Sequence, residues 1–599
     1  MDYQKVGLRV GLEIHQQLNS GTKLFCRCPI MKSESFPLTT TRKIRAVAGE
    51  TGIVDQAALH AYLQNKTYVY KYHPESSCLV ELDDDPPKEL NQHALEVGIQ
   101  IAKMLNSTVV DELHMMRKTV IDGSSVSGFQ RTALLATGGV LKTSFGQVHI
   151  ETVCLEEDAA PPLEKHGETI EYRLDRLGIP LIEIATAPDM HTPEQTKEVA
   201  EKIGLLLRSV SVVRGIGSIR QDVNISIESG ERIEIKGFQE LAKIPSAVDN
   251  EVTRQIALLE IKQELMKRGM KTMNTTIHDV TPLFVQTKNV FLQKIIHNNG
   301  KVYAGTLEKF AGVLKKSIGD RTFGKELSSY AAVYGLGIMH SDEDLGAYEL
   351  ESEFHAMRKL LGASAEDIIF ICAGKEHLEQ TMHAIFERAL FCLRGVPKET
   401  RVADGNGSKF TRPLPGSGRM YPESDVMPLS LTRDYIDAIE KPKTLLEKKE
   451  TLELPEELKN QIIRSPWYPV FEELAKTYDP VLVATTLLST LRDLKREGYA
   501  TETIAKDQLN TVFAAVKHNT ISKQVVKDIL IGLANGERIL TLIKRYTMLS
   551  DSGLETIVRD IVSKNPDQKM GTIVGLVLGQ TKGRADGKKV AELVKKFLA

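Results

Sequence analysis

Five residues of this sequence, Glu13, His15, Glu156, Glu157 and Glu183, are of types that hold a hard cation. They lie in or at the end of three separate apolar segments. Carboxylates with one imidazole suit Mg²⁺ or Mn²⁺, since hard cations prefer oxygen ligands. An ion held that way can bridge phosphate oxygens in a phosphoryl transfer. The opposing reading is a set of solvated strand-edge residues, because one sequence does not reveal whether separate strands converge.

Other signals are weaker. Cys26 and Cys28 are spaced like half a zinc site, but Cys78 stands alone and no second close pair exists, so ordinary small apolar cysteines are the favoured reading. The run from Gly319 to Lys325 nearly spells a phosphate-binding loop, yet Glu326 stands where Ser or Thr should ligate Mg²⁺, and a helix-like stretch precedes it. Gly215-Ile216-Gly217 is only a loop. The last 25 residues carry Lys582, Arg584, Lys588, Lys589, Lys595 and Lys596 against Asp586 and Glu592. Such a stretch either contacts a phosphate backbone or is an exposed helix face with solvated lysines.

The elements that must position these residues can be read from periodicity. Val10, Leu12 and Ile14 alternate with Gly11, Glu13 and His15, which predicts a strand over Arg9–Gln16 with Glu13 and His15 on one face. Residues 146–157 and 178–185 read as further strands, the second with Glu183 inside it. Residues 91–105 read as an amphipathic helix. A helix over about 193–210 is predicted from Thr192 as cap and Pro193 at the first helical position. Asp222 and Lys236 fall in a hairpin. A three-residue loop, Glu228-Ser229-Gly230 with glycine left-handed, pairs like faces: Asp222 opposite Lys236, Asn224 opposite Glu234, Val223 opposite Ile235. One hairpin face is then a charged platform. From about 278 to 400 helices alternate with short strands. The Gly- and Pro-rich 404–430 reads as a return loop to the first domain, and from 450 onward the chain is nearly all helical.

The 599 residues suggest roughly three to five domains. Lys+Arg at 77 against Asp+Glu at 79 excludes a globally basic nucleic-acid sponge. No apolar run is long enough for a membrane span, and Met1–Lys5 lacks the plan of a signal peptide. Six cysteines make a disulfide framework improbable and fit a reducing cytoplasm, the expected location.

Six ordered stretches resemble one family, the B/E subunits of tRNA-dependent glutamate amidotransferases. They are Val10–Leu18 (VGLEIHQQL), Arg117-Lys118 with 121–130 (IDGSSVSGFQ), Leu155–Ala159 (LEEDA), 178–189 (GIPLIEIATAPD), 217–227 (GSIRQDVNISI) with 234–237 (EIKG), and 419–429 (RMYPESDVMPL). The module over 278–400 interrupts that pattern and resembles the insertion domain of bacterial-type aspartyl-tRNA synthetases, which points to the archaeal E branch. Residues 571–598 look like the family's helical tail.

The resemblance implies an α+β multidomain fold: a β-rich catalytic cradle over 1–277, an α+β insertion over 278–400, a return segment of the cradle over 401–445, a helical domain over 446–525 and a tRNA-binding helical tail over 526–599. It implies an enzyme that uses ATP and Mg²⁺ to phosphorylate the glutamate of misacylated Glu-tRNA(Gln). Ammonia from an asparaginase-like amidohydrolase, the D-type partner of the archaeal enzyme, then amidates it. A non-catalytic tRNA-binding scaffold is the alternative. By resemblance, His15, Glu157 and Glu183 are the expected metal ligands, with Glu13 and Glu156 in reserve. Arg117 and Lys118 would hold phosphate or the transferred group. Ser125, Ser127, Asp222, Asn224 and Lys236 would contact substrate, and Lys582, Arg584, Lys588 and Lys589 would contact tRNA. No amidase nucleophile is evident, and a dimer of heterodimers is the assembly left open.

Overall fold

The computed structural model describes residues 1–49, 52–215, 217–416 and 419–598. The chain forms two compact units, Met1–Thr444 and Leu445–Ala599.

The first unit is built on a twelve-stranded sheet. Ten of its strands form one path: β1 (Arg9–Gln17), β2 (Met115–Thr119), β3 (Phe129–Thr137), β4 (Gly146–Glu157), β5 (Pro180–Thr186), β6 (Ile219–Ser226), β7 (Ile233–Phe238), β8 (Glu399–Asp404), β9 (Gly407–Pro413) and β10 (Met420–Pro422). Their spatial order is β9-β8-β7-β6-β1-β5-β4-β3-β2-β10. The predicted strands at 9–16, 146–157 and 178–185 are present within two residues.

The sheet has two unlike faces because side chains alternate along each strand. Val10, Leu12, Ile14, Leu155, Ile182, Ile184, Val223, Ile225, Ile233 and Ile235 are buried in the main core. Three helices cover the apolar face: α1 (Gln92–Met104), α2 (Pro193–Leu207) and α3 (Ile244–Lys267). Their starts follow the sequence. Asn91 accepts from Ala94 N, and Thr192 with Gln195 forms a capping box with Pro193 in the first turn. The other face is polar.

The return segment is more than a loop. It supplies the hairpin β8–β9 at one edge of the sheet and β10 at the other. Seven peptide steps separate Pro413 from Met420, a reach of about 25 Å. Nine strand spacings in a flat sheet would need roughly 43 Å. The sheet must therefore curl towards its polar face, where Leu414, Pro415 and Arg419 border the concavity. This curl makes the first unit a cradle.

The hairpin β6–β7 keeps the expected register, with Val223 opposite Ile235 and Asn224 opposite Glu234. Its pairing shifts at Asp222, where Gly237, at φ +93°, forms a bulge. Gly230 is not left-handed, contrary to expectation. It is required instead by close approach, since a Cβ there would meet Gln255 Oε1 at 2.0 Å and Ile227 Cγ1 at 2.7 Å.

The module between α3 and β8 is a four-stranded sheet. Its order is His278–Asp279, Lys301–Leu307, Ile368–Gly374, Met339–His340. Helices α4 (Phe323–Ala332) and α5 (Leu378–Phe391) join the core that includes the cradle, while Val280, Phe284, Leu292, Phe354 and Met357 form a separate core. The near-phosphate-loop is here a capped helix start, with Thr322 accepting from Lys325 N and Glu326 fully buried. The second unit contains helices and no strand among its described residues; its last three, Asp551–Lys564, Met570–Thr581 and Gly587–Leu598, share one apolar core. No described helix is long and apolar enough to cross a membrane.

Candidate active site

A cavity of about 480 Å³ lies on the polar face of the cradle. Neighbouring strands set its floor by register. His15 stands opposite Glu183 on β5 and Arg220 on β6, and Glu13 stands opposite Asp222. His15 Nε2 lies 3.1 Å from Glu183 Oε2, 3.3 Å from Glu13 Oε1 and 3.8 Å from Glu156 Oε1. Lys118 Nζ donates to Glu156 Oε2 at 2.6 Å and to Glu183 Oε2 at 3.3 Å. Beside them Lys236 Nζ bridges Asp222 and Glu234, both at 2.6 Å. Arg220 is steadied by Asp158 at 3.4 Å, and Asp158 also accepts from Gln17 and Arg176 at 2.6 Å.

Burial in this cluster shifts protonation. Desolvation pulls the His15 imidazole down, but hydrogen bonds to Glu13 and Glu183 outweigh it and raise its pKa to about 10. Desolvation pushes the Glu156 carboxyl up, with Lys118 opposing. Burial also opposes ionisation of Glu183, but Lys118 and His15 overcome it and hold that carboxyl well below the carboxylate range. His15 Nδ1 and Glu156 Oε1 are buried without a hydrogen-bond partner.

Two overlapping sets have ligand atoms mutually within 4.8 Å: His15, Glu156 and Glu183, and Glu13, His15 and Asp222. The expected trio contained Glu157 where the first of these sets has Glu156. Glu157 borders the cavity, but its carboxylate accepts from Arg131 N at 3.3 Å and Arg131 Nη1 at 3.4 Å. Adjacent residues on a strand face opposite ways, and Glu156 is the one that turns to His15. The same alternation parts Arg117 from Lys118. Arg117 pairs with Glu423 at 2.5 Å and Asp425 at 3.1 Å, away from the cluster. Ser125 and Asn224 line the cavity. Ser127 does not; its hydroxyl donates to Phe129 O at 2.9 Å, and Ser124 lines the wall instead.

Seven further charged lining residues are not among those expected from sequence: Asp122, Asp158, Arg220, Arg232, Glu234, Arg412 and Arg419. The 217–227 and 419–429 stretches contain Arg220 and Arg419, but neither stands out there by type or spacing.

Cys78 does not stand alone. Cys26, Cys28, Cys78 and Glu81 bring four potential ligand atoms within 4.8 Å of one another. Cys26 Sγ donates to Glu81 Oε1 at 2.9 Å, and Cys78 N donates to Glu81 Oε2 at 2.7 Å. Hydrogen bonds from Cys26 and Cys28 hold the Cys78 thiol far below its usual range. Three sulfurs and a carboxylate form a donor set of the kind that holds zinc.

In the second unit, Lys582 ends a helix at φ +47°. Arg584 Nε donates to Thr547 O at 3.0 Å and Lys589 pairs with Asp551, so both have structural partners. The Lys582 and Lys588 side chains have no ion pair among the described residues.

Comparison with known proteins shows the family. Residues 8–437 match the GatB/GatE catalytic domain, and residues 469–598 match the GatB domain. The chain is 41% identical to the E-type subunit of the glutamyl-tRNA(Gln) amidotransferase of Saccharolobus solfataricus, over 100% of this chain and 99% of that one. It is 40% identical to the corresponding subunit of Methanosarcina barkeri, over 100% and 98%, and 40% identical to that of Methanocaldococcus jannaschii, over 100% and 99%.

Proposed function

Because the chain belongs to the GatB/GatE family of tRNA-dependent amidotransferase subunits, we propose that it carries the activation and amidation of tRNA-bound glutamate. The terminal phosphoryl of ATP passes to the γ-carboxylate of Glu-tRNA(Gln). Ammonia, supplied by an asparaginase-like amidohydrolase partner, then displaces phosphate to give Gln-tRNA(Gln). A carboxylate is a poor acyl donor, and phosphorylation supplies the leaving group.

The observation that carries this reading is the acid–imidazole cluster on the cavity floor. A tRNA-binding scaffold has no use for it. Three carboxylates around His15 Nε2, with Glu156 Oε1 unpartnered, fit a hard divalent cation. Glu13, His15, Glu156 and Glu183 would hold Mg²⁺, which when bound would neutralise charge on the phosphates. The chain's own residues do the rest. Lys118, fixed between Glu156 and Glu183, places a positive charge beside the reacting groups. Asp158 holds Arg220 at the wall, where its fork can orient a carboxylate or phosphate. The curl of the sheet limits bulk water, which would otherwise hydrolyse an acyl phosphate. The helical tail, through Lys582 and Lys588, contributes to tRNA affinity.

The test is ADP release from the full-length protein with ATP and Mg²⁺, comparing Glu-tRNA(Gln) with uncharged tRNA(Gln). Release that requires the aminoacyl group, and that falls at least a hundredfold in Glu183→Gln while tRNA binding persists, supports the reading. Normal tRNA binding without aminoacyl-dependent ADP release would favour the scaffold.

A further inference from the structure

The cations that line the cavity fall into two sets, ion-paired and not. On the floor every cation is matched: Lys118 by Glu156 and Glu183, Lys236 by Asp222 and Glu234, Arg220 by Asp158. Arg412 and Arg419 also line the cavity, with the exposed Arg232. None of these three has a described carboxylate oxygen within 4.0 Å, although the other lining cations do. Arg419 Nε donates to Thr119 O at 3.0 Å. That bond orients the fork; Glu234, Asp122 and Asp55 offset its charge only from beyond ion-pair distance. Arg412 leaves β9 at one edge of the sheet, opposite Thr400, and Arg419 precedes β10 at the other edge. The curl of the sheet is what brings these two ends of the return segment to one cavity.

Two guanidiniums facing one half-desolvated space repel each other. Burial first, and then Arg412, make the Arg419 proton easier to lose than usual. Packing alone does not call for that arrangement, since an apolar pair would fill the wall at lower cost. A bound anion would remove the repulsion. The planar fork of arginine suits phosphate, and two forks with a third cation match several adjacent phosphates better than a single carboxylate. The cavity volume also falls within the range of small-ligand sites.

We propose that Arg412 and Arg419, with Arg232, form a polyphosphate subsite that takes the phosphate chain of the nucleotide, in the same cavity as the acid–imidazole cluster. This rests on the ATP-dependent reading above. Phosphate could also arrive as the phosphodiester of the tRNA acceptor end, and the test separates the two sources.

Full-length protein is titrated calorimetrically with inorganic tripolyphosphate, without Mg²⁺ or tRNA, alongside Arg412→Gln, Arg419→Gln and the charge-preserving Arg412→Lys/Arg419→Lys pair. Glu-tRNA(Gln) affinity is measured by filter binding on the same proteins. The expected result is one tripolyphosphate per chain, about tenfold weaker in each Gln variant, intermediate in the Lys pair, with tRNA affinity unchanged. If a Gln variant does not fold, as judged by its thermal transition, the Lys pair decides: undiminished affinity there overturns the arginine-fork assignment. Tripolyphosphate affinity unchanged in all variants also overturns the subsite, and loss confined to tRNA binding would assign these arginines to the acceptor end instead. ATP turnover in the wild type with normal tripolyphosphate binding by every variant would sink the subsite and leave the proposed function standing. Arginine-dependent tripolyphosphate binding without ATP turnover would do the reverse.

Discussion

Replacing Glu326 by Gln should destabilise the first unit by about 3–5 kcal/mol, the usual cost of removing one partner from a buried ion network. Glu326 is fully buried at the start of α4. Its Oε1 accepts from Arg254 at 2.7 Å and its Oε2 from Arg401 at 2.8 Å, with Arg388 at 3.6 Å. Glu251 and Glu399 complete a balanced set of three arginines and three glutamates. Glutamine keeps the shape but leaves one positive charge uncompensated and turns an N–H towards an arginine. Two lost charge-assisted bonds at ~1.5–3 kcal/mol each give the same scale. Burial opposes ionisation of Glu326, but Arg401 and Arg254 outweigh it and hold its carboxyl far below the usual 4.5. Its contribution is therefore complete above pH 4.5 and is lost as pH falls, so the gap between variant and wild type should narrow in acid. The assay is urea unfolding followed by far-UV circular dichroism. Trp467, the only tryptophan, reports on the other unit. The double variant E326Q/R401M should lose less than the sum of the singles by more than ~1 kcal/mol. A loss under ~1 kcal/mol for E326Q, or strict additivity, would mean that the six charges do not act as one network. A true phosphate loop makes the contrary forecast of altered nucleotide binding at constant stability.

Glu156→Gln should cut ATP-dependent amidation at least a hundredfold with little change in thermal stability, whereas Glu157→Gln should act mainly on stability, by about 1–3 kcal/mol through Arg131; parallel kinetics and melting curves distinguish them. Purified protein should hold about one zinc per chain by elemental analysis, and Cys78→Ser should release it and lower the melting temperature; equal zinc content in both would rule out the four-ligand assignment. Lys582→Glu/Lys588→Glu should weaken tRNA binding and lessen its dependence on log salt by about 1–2, read from filter binding between about 50 and 200 mM salt; an unchanged slope would remove these lysines from the interface.

Much of the cradle floor is legible in the sequence because period two is a local property. Val10, Leu12 and Ile14 place Glu13 and His15 together on the other face, and loop arithmetic at Glu228–Gly230 fixes Asn224 against Glu234. The choice between Glu156 and Glu157 is not legible. Val148 and Ile150 are core residues on even numbers, but past a register break Val153 and Leu155 are core on odd numbers. A one-residue bulge flips every later side chain, so Glu156 faces the cavity. Cys78 is remote in sequence from Cys26 and Cys28, and only the tertiary fold joins them to Glu81. The Gly- and Pro-rich composition of 404–430 hides strands whose pairing is non-local, and with them Arg412 and Arg419. The Glu326 network is equally hidden, because Arg254, Glu326 and Arg401 come from two helices and a strand far apart in sequence.

Activation and amidation are both assigned here to one cradle. The assignment is tested by leaving the amidohydrolase partner out and supplying Glu-tRNA(Gln), ATP, Mg²⁺ and free ammonium, then following conversion of the attached glutamate to glutamine. Wild-type protein should form product and Glu156→Gln none, with tRNA binding intact in both. Intact tRNA binding without product from the wild type, either alone or with an amidase-dead partner restored, would place the chemistry elsewhere.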